Sequence, residues 1–225
     1  MAVTKLPRNL DKQDRIRALE ILGLGSAAKI LDNPYPLGGY SGFEMGLAAE
    51  FIPVDELAGL GSGTTDNGEL NYYTLTFGKG VYHNVDTMVY FSPITGDEEV
   101  GNFGGQLRWG FYEARFFPIS FSTIVYGGGT SFSNLINVTT VGIDLIATVN
   151  VENVALYLGG GTIRAIGQFI GGADGITDNG QTIQEDISEE HLVFGLNVNF
   201  SKMFVALEVD RYVDSVYSGK LGFRF

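Results

Sequence analysis

Nine charged residues stand on segments that otherwise alternate bulky apolar residues with small ones: Glu44, Glu50, Arg108, Asp144, Arg164, Glu208, Asp210, Lys220 and Arg224. All nine are assigned to the polar side of a period-2 pattern. An enclosed charge of either sign needs a partner or water. The nine therefore make either a salt-bridge network that fills an interior or the lining of a solute path. His191 has Glu189 and Glu190 beside it, where a general base could meet carboxylates. "GTTDNGE" at 63–69 and "GITDNGQ" at 175–181 share TDNG. Asp-Asn-Gly is first a turn. Clustered oxygens could also hold a hard cation, with Asp66, Asp97, Glu98, Glu99, Asp174 and Asp178 as weak candidates. Runs of three glycines at 127–129 and 159–161 are followed by no helix and are read as flat or bent strand rather than phosphate loops. No cysteine is present, so no thiolate site or disulfide exists, and no cofactor motif is found.

These residues need strands to position them. After Gly39 the helical period gives way to strict alternation. "GFEMGLAAEF" puts Phe43, Met45, Leu47, Ala49 and Phe51 on one face; "GGQLRWGFY" does the same with Leu107, Trp109 and Phe111. Ten such segments lie near 40–52, 69–82, 87–94, 101–113, 118–128, 135–149, 153–169, 188–200, 202–212 and 215–225. In the seventh, Arg164 shares parity with Leu156 and Leu158, so a bulge at 159–161 is expected to restore the alternation. If the last hairpin turns about Asp214, Glu208 faces Lys220 and Phe204 faces Arg224. Residues 1–39 differ. "NLDKQDRIRALEILGLG" reads as an amphipathic helix capped by Asp11 with Ile16, Leu19 and Leu22 on its stripe, and "SAAKILD" as a second helical turn. The chain thus divides at 1–39 and 40–225.

A net charge of −12 argues against a nucleic-acid partner. No apolar run reaches the ~20 residues of a membrane helix. The first residues lack a signal-peptide core, which fits a mature exported protein with Met1 in place of a removed signal.

An alternating barrel can be soluble, with its apolar face inward, or transmembrane, with that face to lipid. Strand length, bulky residues on every apolar face and alternating short and long connections favour the membrane. Connections 53–69, 95–101, 128–136, 170–190 and 212–216 hold fourteen Asp or Glu and no Lys, Arg or His. They are expected outside the cell. Arg8, Lys12, Arg15, Arg17, Lys29, Arg115 and Lys202 are expected on the periplasmic side.

The end of the chain, "VDSVYSGKLGFRF", resembles the last strand of bacterial outer-membrane β-barrels. Tyr217, Leu221, Phe223 and Phe225 match their assembly signal, and Gly219 departs from it. The resemblance implies recognition by the barrel-insertion machinery, Gram-negative origin and both termini in the periplasm. The expected fold is all-β: an antiparallel up-and-down transmembrane β-barrel of about ten strands with a short N-terminal helical segment. That segment is expected to plug the lumen, lie along the inner membrane surface or contact a periplasmic partner. The expected function is a narrow or gated passive channel for small polar or cationic solutes. A closed structural or surface-interaction barrel is the alternative, and a rim enzyme built on His191 a third. Lipid and lipopolysaccharide are the expected surroundings. The protein is not expected to be an enzyme.

Overall fold

Bulky residues at every second position make strands, and strands in lipid must leave no ladder group unpaired. The computed structural model describes residues 6–63, 68–93 and 100–225. Among them are ten antiparallel strands: β1 (Phe43–Pro53), β2 (Glu69–Tyr82), β3 (Val85–Phe91), β4 (Val100–Glu113), β5 (Ile119–Phe132), β6 (Ile136–Val151), β7 (Val154–Phe169), β8 (Ile183–Phe200), β9 (Met203–Arg211) and β10 (Ser215–Arg224). Each pairs with its sequence neighbours, and β1 pairs with β10 to close the ring. A closed sheet has no edge to satisfy.

The two ends differ. At one, β2–β3, β6–β7 and β8–β9 turn in two residues, with His83, Glu152 and Ser201 in the left-handed region. The start of β1 and Phe225 lie at this turn end. Phe43 and Phe225 exchange both backbone hydrogen bonds, at 3.0 and 2.8 Å. The long connections lie at the other, loop end. By the usual asymmetry of such barrels the turn end is periplasmic and the loop end external.

The outward face carries an apolar belt: Leu107, Trp109, Phe111, Leu145, Leu158 and Phe194 are all exposed. Such a continuous surface is a lipid contact. Tyr40, Tyr82 and Tyr112 stand exposed near the turn end, where amphipathic rings suit a membrane interface. On β8 the belt stops between Leu192 and Glu190, and the outward Glu190, Ser188, Asp186 and Gln184 continue above it. This strand begins five residues before its expected start at 188.

Two expectations about register are corrected. First, β7 has no bulge: its pairing with β6 and β8 runs unbroken through Gly159–Gly161. Arg164 points outward with Leu156 and Leu158 and is not a lumen charge. Its side chain is 55 % exposed and pairs with Asp186. Height decides its company, because above the belt the outward face meets water. The register shifts fall instead at Gly80/Tyr82 and Gly110/Tyr112. Second, the last hairpin turns about Val213 rather than Asp214, with Tyr212 N donating to Asp214 O at 3.0 Å. Glu208 therefore faces Ser218, and Lys220 faces Ala206. The slip is two residues, so every side chain keeps its face.

Inside, rings lie flat over glycines of the next strand. A Cβ at Gly195 would stand 2.0 Å from the Tyr157 ring, and one at Gly222 would stand 2.3 Å from Phe204. Glycine on the inward face makes room for the aromatic neighbour.

Before the barrel come α1 (Lys12–Ala18) and a π-helical turn (Leu19–Leu24) that continues it. Asp11 caps α1 by accepting from Gln13 N and Asp14 N at 2.7 and 2.9 Å, and the Asp14 carboxylate accepts from Asp11 N. The "SAAKILD" stretch is not the expected second helical turn. Leu31 is left-handed, with φ 48°, and the backbone N–H groups of Ile30 and Leu31 are taken by the Glu208 carboxylate.

Candidate functional site

Residues 8–42 contact the inner wall from one end of the barrel to the other. At the turn end, Gly39–Ser41 forms a single 3-10 turn that leads into β1. Leu37 N donates to Asp86 at 2.7 Å, and the Tyr35 hydroxyl to Glu113 at 2.5 Å. Asn33 bonds Asn150 at 2.7 Å. Beside this stretch the wall holds its own cluster. Glu44 receives Lys220 and Arg224, each at 2.7 Å.

At mid-height the segment is extended and its polar groups are consumed by the wall. Asp32 pairs with Arg108, which also donates to Ile30 O at 2.8 Å. Gln106 donates to Lys29 O at 2.5 Å. Glu208 accepts from Ile30 N and Leu31 N, each at 2.8 Å, and from the Tyr157 hydroxyl at 2.5 Å. Lys29 Nζ donates to the carbonyls of Gly25 and Ala27 and stands 5.1 Å over the Tyr212 ring. On β1 and β2 Glu50 accepts from Tyr72 at 2.6 Å and Thr74 at 2.8 Å. The space left around Lys29, Glu50, Thr74, Met88 and Tyr90 is about 20 Å³, room for one water.

Above lies His191, which is 1 % exposed. Its Nδ1 stands 2.9 Å from Asp144 and its Nε2 2.9 Å from Asp210. A carboxyl oxygen therefore stands at each nitrogen, and the Tyr126 hydroxyl lies 3.3 Å from Nδ1. The ring stacks on Tyr212 at 4.5 Å between centroids. A buried ring with both nitrogens engaged is a structural group rather than a free base.

At the loop end the segment becomes a cap. Leu19, Leu22 and Leu24 join Ile52, Leu57, Val138 and Phe169 in one apolar cluster. Around it two arginines bind the loops. Arg15 reaches Glu185 at 2.9 Å, Asp178 at 3.4 Å and Leu10 O at 2.9 Å. Arg17 reaches Glu20, Glu56 and Asp214, each at 2.8 Å. These three carboxylates raise the pKa of Arg17 above its ordinary value, against the opposing effect of burial.

Most of the residues expected inside the lumen lie there: Glu44, Glu50, Arg108, Asp144, Glu208, Asp210 and Lys220 are buried and Arg224 partly so. Arg164 is the exception described above. Arg8, Lys12, Arg15 and Arg17 stand at the loop end, not on the expected periplasmic side, because their segment threads the lumen. Arg15 and Arg17 neutralise part of the acidic rim. For the same reason Leu10 lies at the end opposite Phe225, against the implied placement of both termini. Of the cation candidates, Asp66, Asp97, Glu98 and Glu99 lie outside the described residues. Asp178 is turned to Arg15, and among the described residues no three His, Asp or Glu converge as a metal site. The 175–181 stretch is a turn: Gln181 N donates to Asn179 at 3.0 Å, and Gly180 is left-handed. Lys29, expected on the periplasmic side, stands at mid-lumen instead, and Asp32 and Asp86 are lumen residues that the sequence did not single out. Lys29 and Asp32 lie in the stretch expected to be a helical turn, and Asp86 lies one residue outside its expected strand.

No family model and no curated protein matches the chain. Among solved structures it is similar to Ail, the attachment invasion locus protein of Yersinia pestis, in complex with the heparin analogue sucrose octasulfate. Identity is 18 %, coverage 82 % of this chain and 97 % of that one, and TM-score 0.31. It is also similar to the N-terminal β-barrel domain of Pseudomonas aeruginosa OprF, at 12 % identity, 84 % and 99 % coverage and TM-score 0.38. Neisserial surface protein A matches at 12 %, 81 % and 95 %, with TM-score 0.32. At these values the likenesses bear on neither residues nor task. The closed sheet, its apolar outer belt and its two unlike ends make this chain a small membrane-spanning β-barrel, ten strands round.

Proposed function

We propose that the protein is a gated passive channel for small polar or cationic solutes, held shut by residues 6–42 acting as a lumen plug. One observation carries this: at mid-height the segment meets the wall through hydrogen bonds and ion pairs, with about 20 Å³ left around Lys29 and Glu50. Water can replace polar contacts of this kind when the segment leaves, whereas an apolar core filling would have no such substitute. The apolar contacts gather at the outer mouth, which makes the cap the gate. Carboxylates left on the wall and rim would focus a negative potential and favour cations.

Deleting residues 1–37 and recording in planar bilayers tests this. The full chain is expected to be closed or rarely open, and the shortened barrel to conduct with cation selectivity. A folded, shortened barrel that does not conduct would favour the closed surface-interaction barrel. The polar outward face of β8 above the belt favours that second reading, since it presents side chains to the exterior. Catalysis at His191 is disfavoured because both ring nitrogens are taken. Lipopolysaccharide, the insertion machinery and small solutes are proposed partners on the same footing.

A further inference from the structure

We infer that the barrel carries the N-terminal side of its chain through its own lumen to the outer face, so that the stretch from Leu6 to Gln13 is presented outside the cell. The two ends of the threaded segment are anchored at opposite ends of the barrel. At the turn end, Gly80 N donates to Gly42 O at 3.0 Å, and Gly42 N to Gly39 O. At the loop end, Leu10 N donates to Ile176 O at 2.8 Å, and Asp178 N to Leu10 O at 3.2 Å. Ser62 N donates to Arg8 O at 2.7 Å, and Gly61 N to Asp14 at 3.0 Å. Two external loops thus grip residues 8–14 from either side, and Arg15 and Arg17 add ion pairs to the 170–182 loop, to β8, to Glu56 and to Asp214.

The direction follows from chain order. Residue 42 enters β1 at the turn end, Asp32 to Lys29 lie at mid-height, and Leu6 to Asp11 emerge at the loop end. Arg8, Asn9, Asp11, Lys12 and Gln13 are exposed. The capping helix and its arginines then act as a stop that keeps the presented end from sliding back through the lumen. Presentation does not require conduction: a barrel that never opens would hold its N-terminal side outside just as firmly.

The absence of cysteine from the chain gives a clean test. Lys12→Cys, Asp174→Cys in the 170–182 loop and Lys202→Cys at the β8–β9 turn are treated separately, on intact cells, with a membrane-impermeant maleimide. Lys12→Cys is expected to label as fully as Asp174→Cys, with no labelling of Lys202→Cys until the outer membrane is opened. An epitope placed ahead of Leu6 is expected to bind its antibody on intact cells. Labelling of Lys12→Cys only after opening, alongside Lys202→Cys, overturns the inference. Labelling only after denaturation, with the epitope silent, overturns it as well. Labelling of Lys202→Cys but not Asp174→Cys on intact cells would mean the reverse orientation and would also overturn it. A failed conductance measurement on the 1–37 deletion leaves all these outcomes unchanged.

Discussion

Glu44 has two cations within 2.7 Å, Lys220 and Arg224, and all three arise on the strands that close the ring. Removing one partner of a buried pair costs about 3–5 kcal/mol when nothing replaces it. Arg224 remains beside Glu44, so Lys220→Met is expected to destabilise the barrel towards the lower end of that range. Lys202→Met, at an exposed turn, should stay within ~0.5 kcal/mol. Urea unfolding in lipid vesicles compares them, and equal midpoints would show that the Lys220–Glu44 pair contributes nothing. His191→Ala leaves Asp144 and Asp210 without the buried ring that bridges them. A loss of about 3–5 kcal/mol is expected by the same reasoning; an unchanged midpoint would mean that water reaches the site. The types of these residues were legible from alternation alone. Their partners were not, because Glu44 meets Lys220 only across the closing seam, 176 residues apart.

Among elements, β8 and the cap extend furthest beyond the lipid belt. The Arg164 guanidinium holds the exposed Asp186 carboxyl below its ordinary value. A lowered folded-state pKa stabilises above the unfolded value of ~3.9 and is lost as pH falls through the lowered one. Arg164→Gln should return Asp186 to the ordinary carboxylate range in an NMR titration, and an unmoved value would break the pair. For the cap, Arg17→Met removes the hub joining Glu20, Glu56 and Asp214. Protease cleavage within residues 8–24 should quicken, and added salt should quicken it in the parent too, since exposed ion pairs are screened. Equal cleavage rates would assign the cap's hold to its apolar cluster alone. The helix itself was readable from Asp11 and the 16/19/22 stripe. Its seat was not, because a stripe states that something apolar covers it without saying what.

For the whole molecule, closure dominates. Every strand has two neighbours, so unfolding must open a ring, and the unheated protein should migrate differently from the boiled protein on a detergent gel. A single, heat-independent band would be inconsistent with a closed barrel. Deleting residues 1–37 should keep that heat shift while lowering the unfolding temperature, because the wall supplies its own β1–β10 seam but loses the partners of Arg108, Glu208 and Gln106. Loss of the heat shift would make the segment a requirement for folding.

Strand number, the lipid-facing side and the asymmetry of the two ends follow from the sequence alone, because period, bulk and connection length are local properties that survive without knowing any contact. Register beyond parity did not: a two-residue slip in the last hairpin leaves every side chain on its face, so no pattern could detect it. Arg164 was misplaced because period 2 gives a side, while only height relative to the belt says whether that side meets lipid or water. The path of residues 6–42 was decided by tertiary structure entirely. An irregular segment can enter a lumen only where the wall meets its backbone groups, as Glu208, Gln106 and Arg108 do from separate strands brought together by closure.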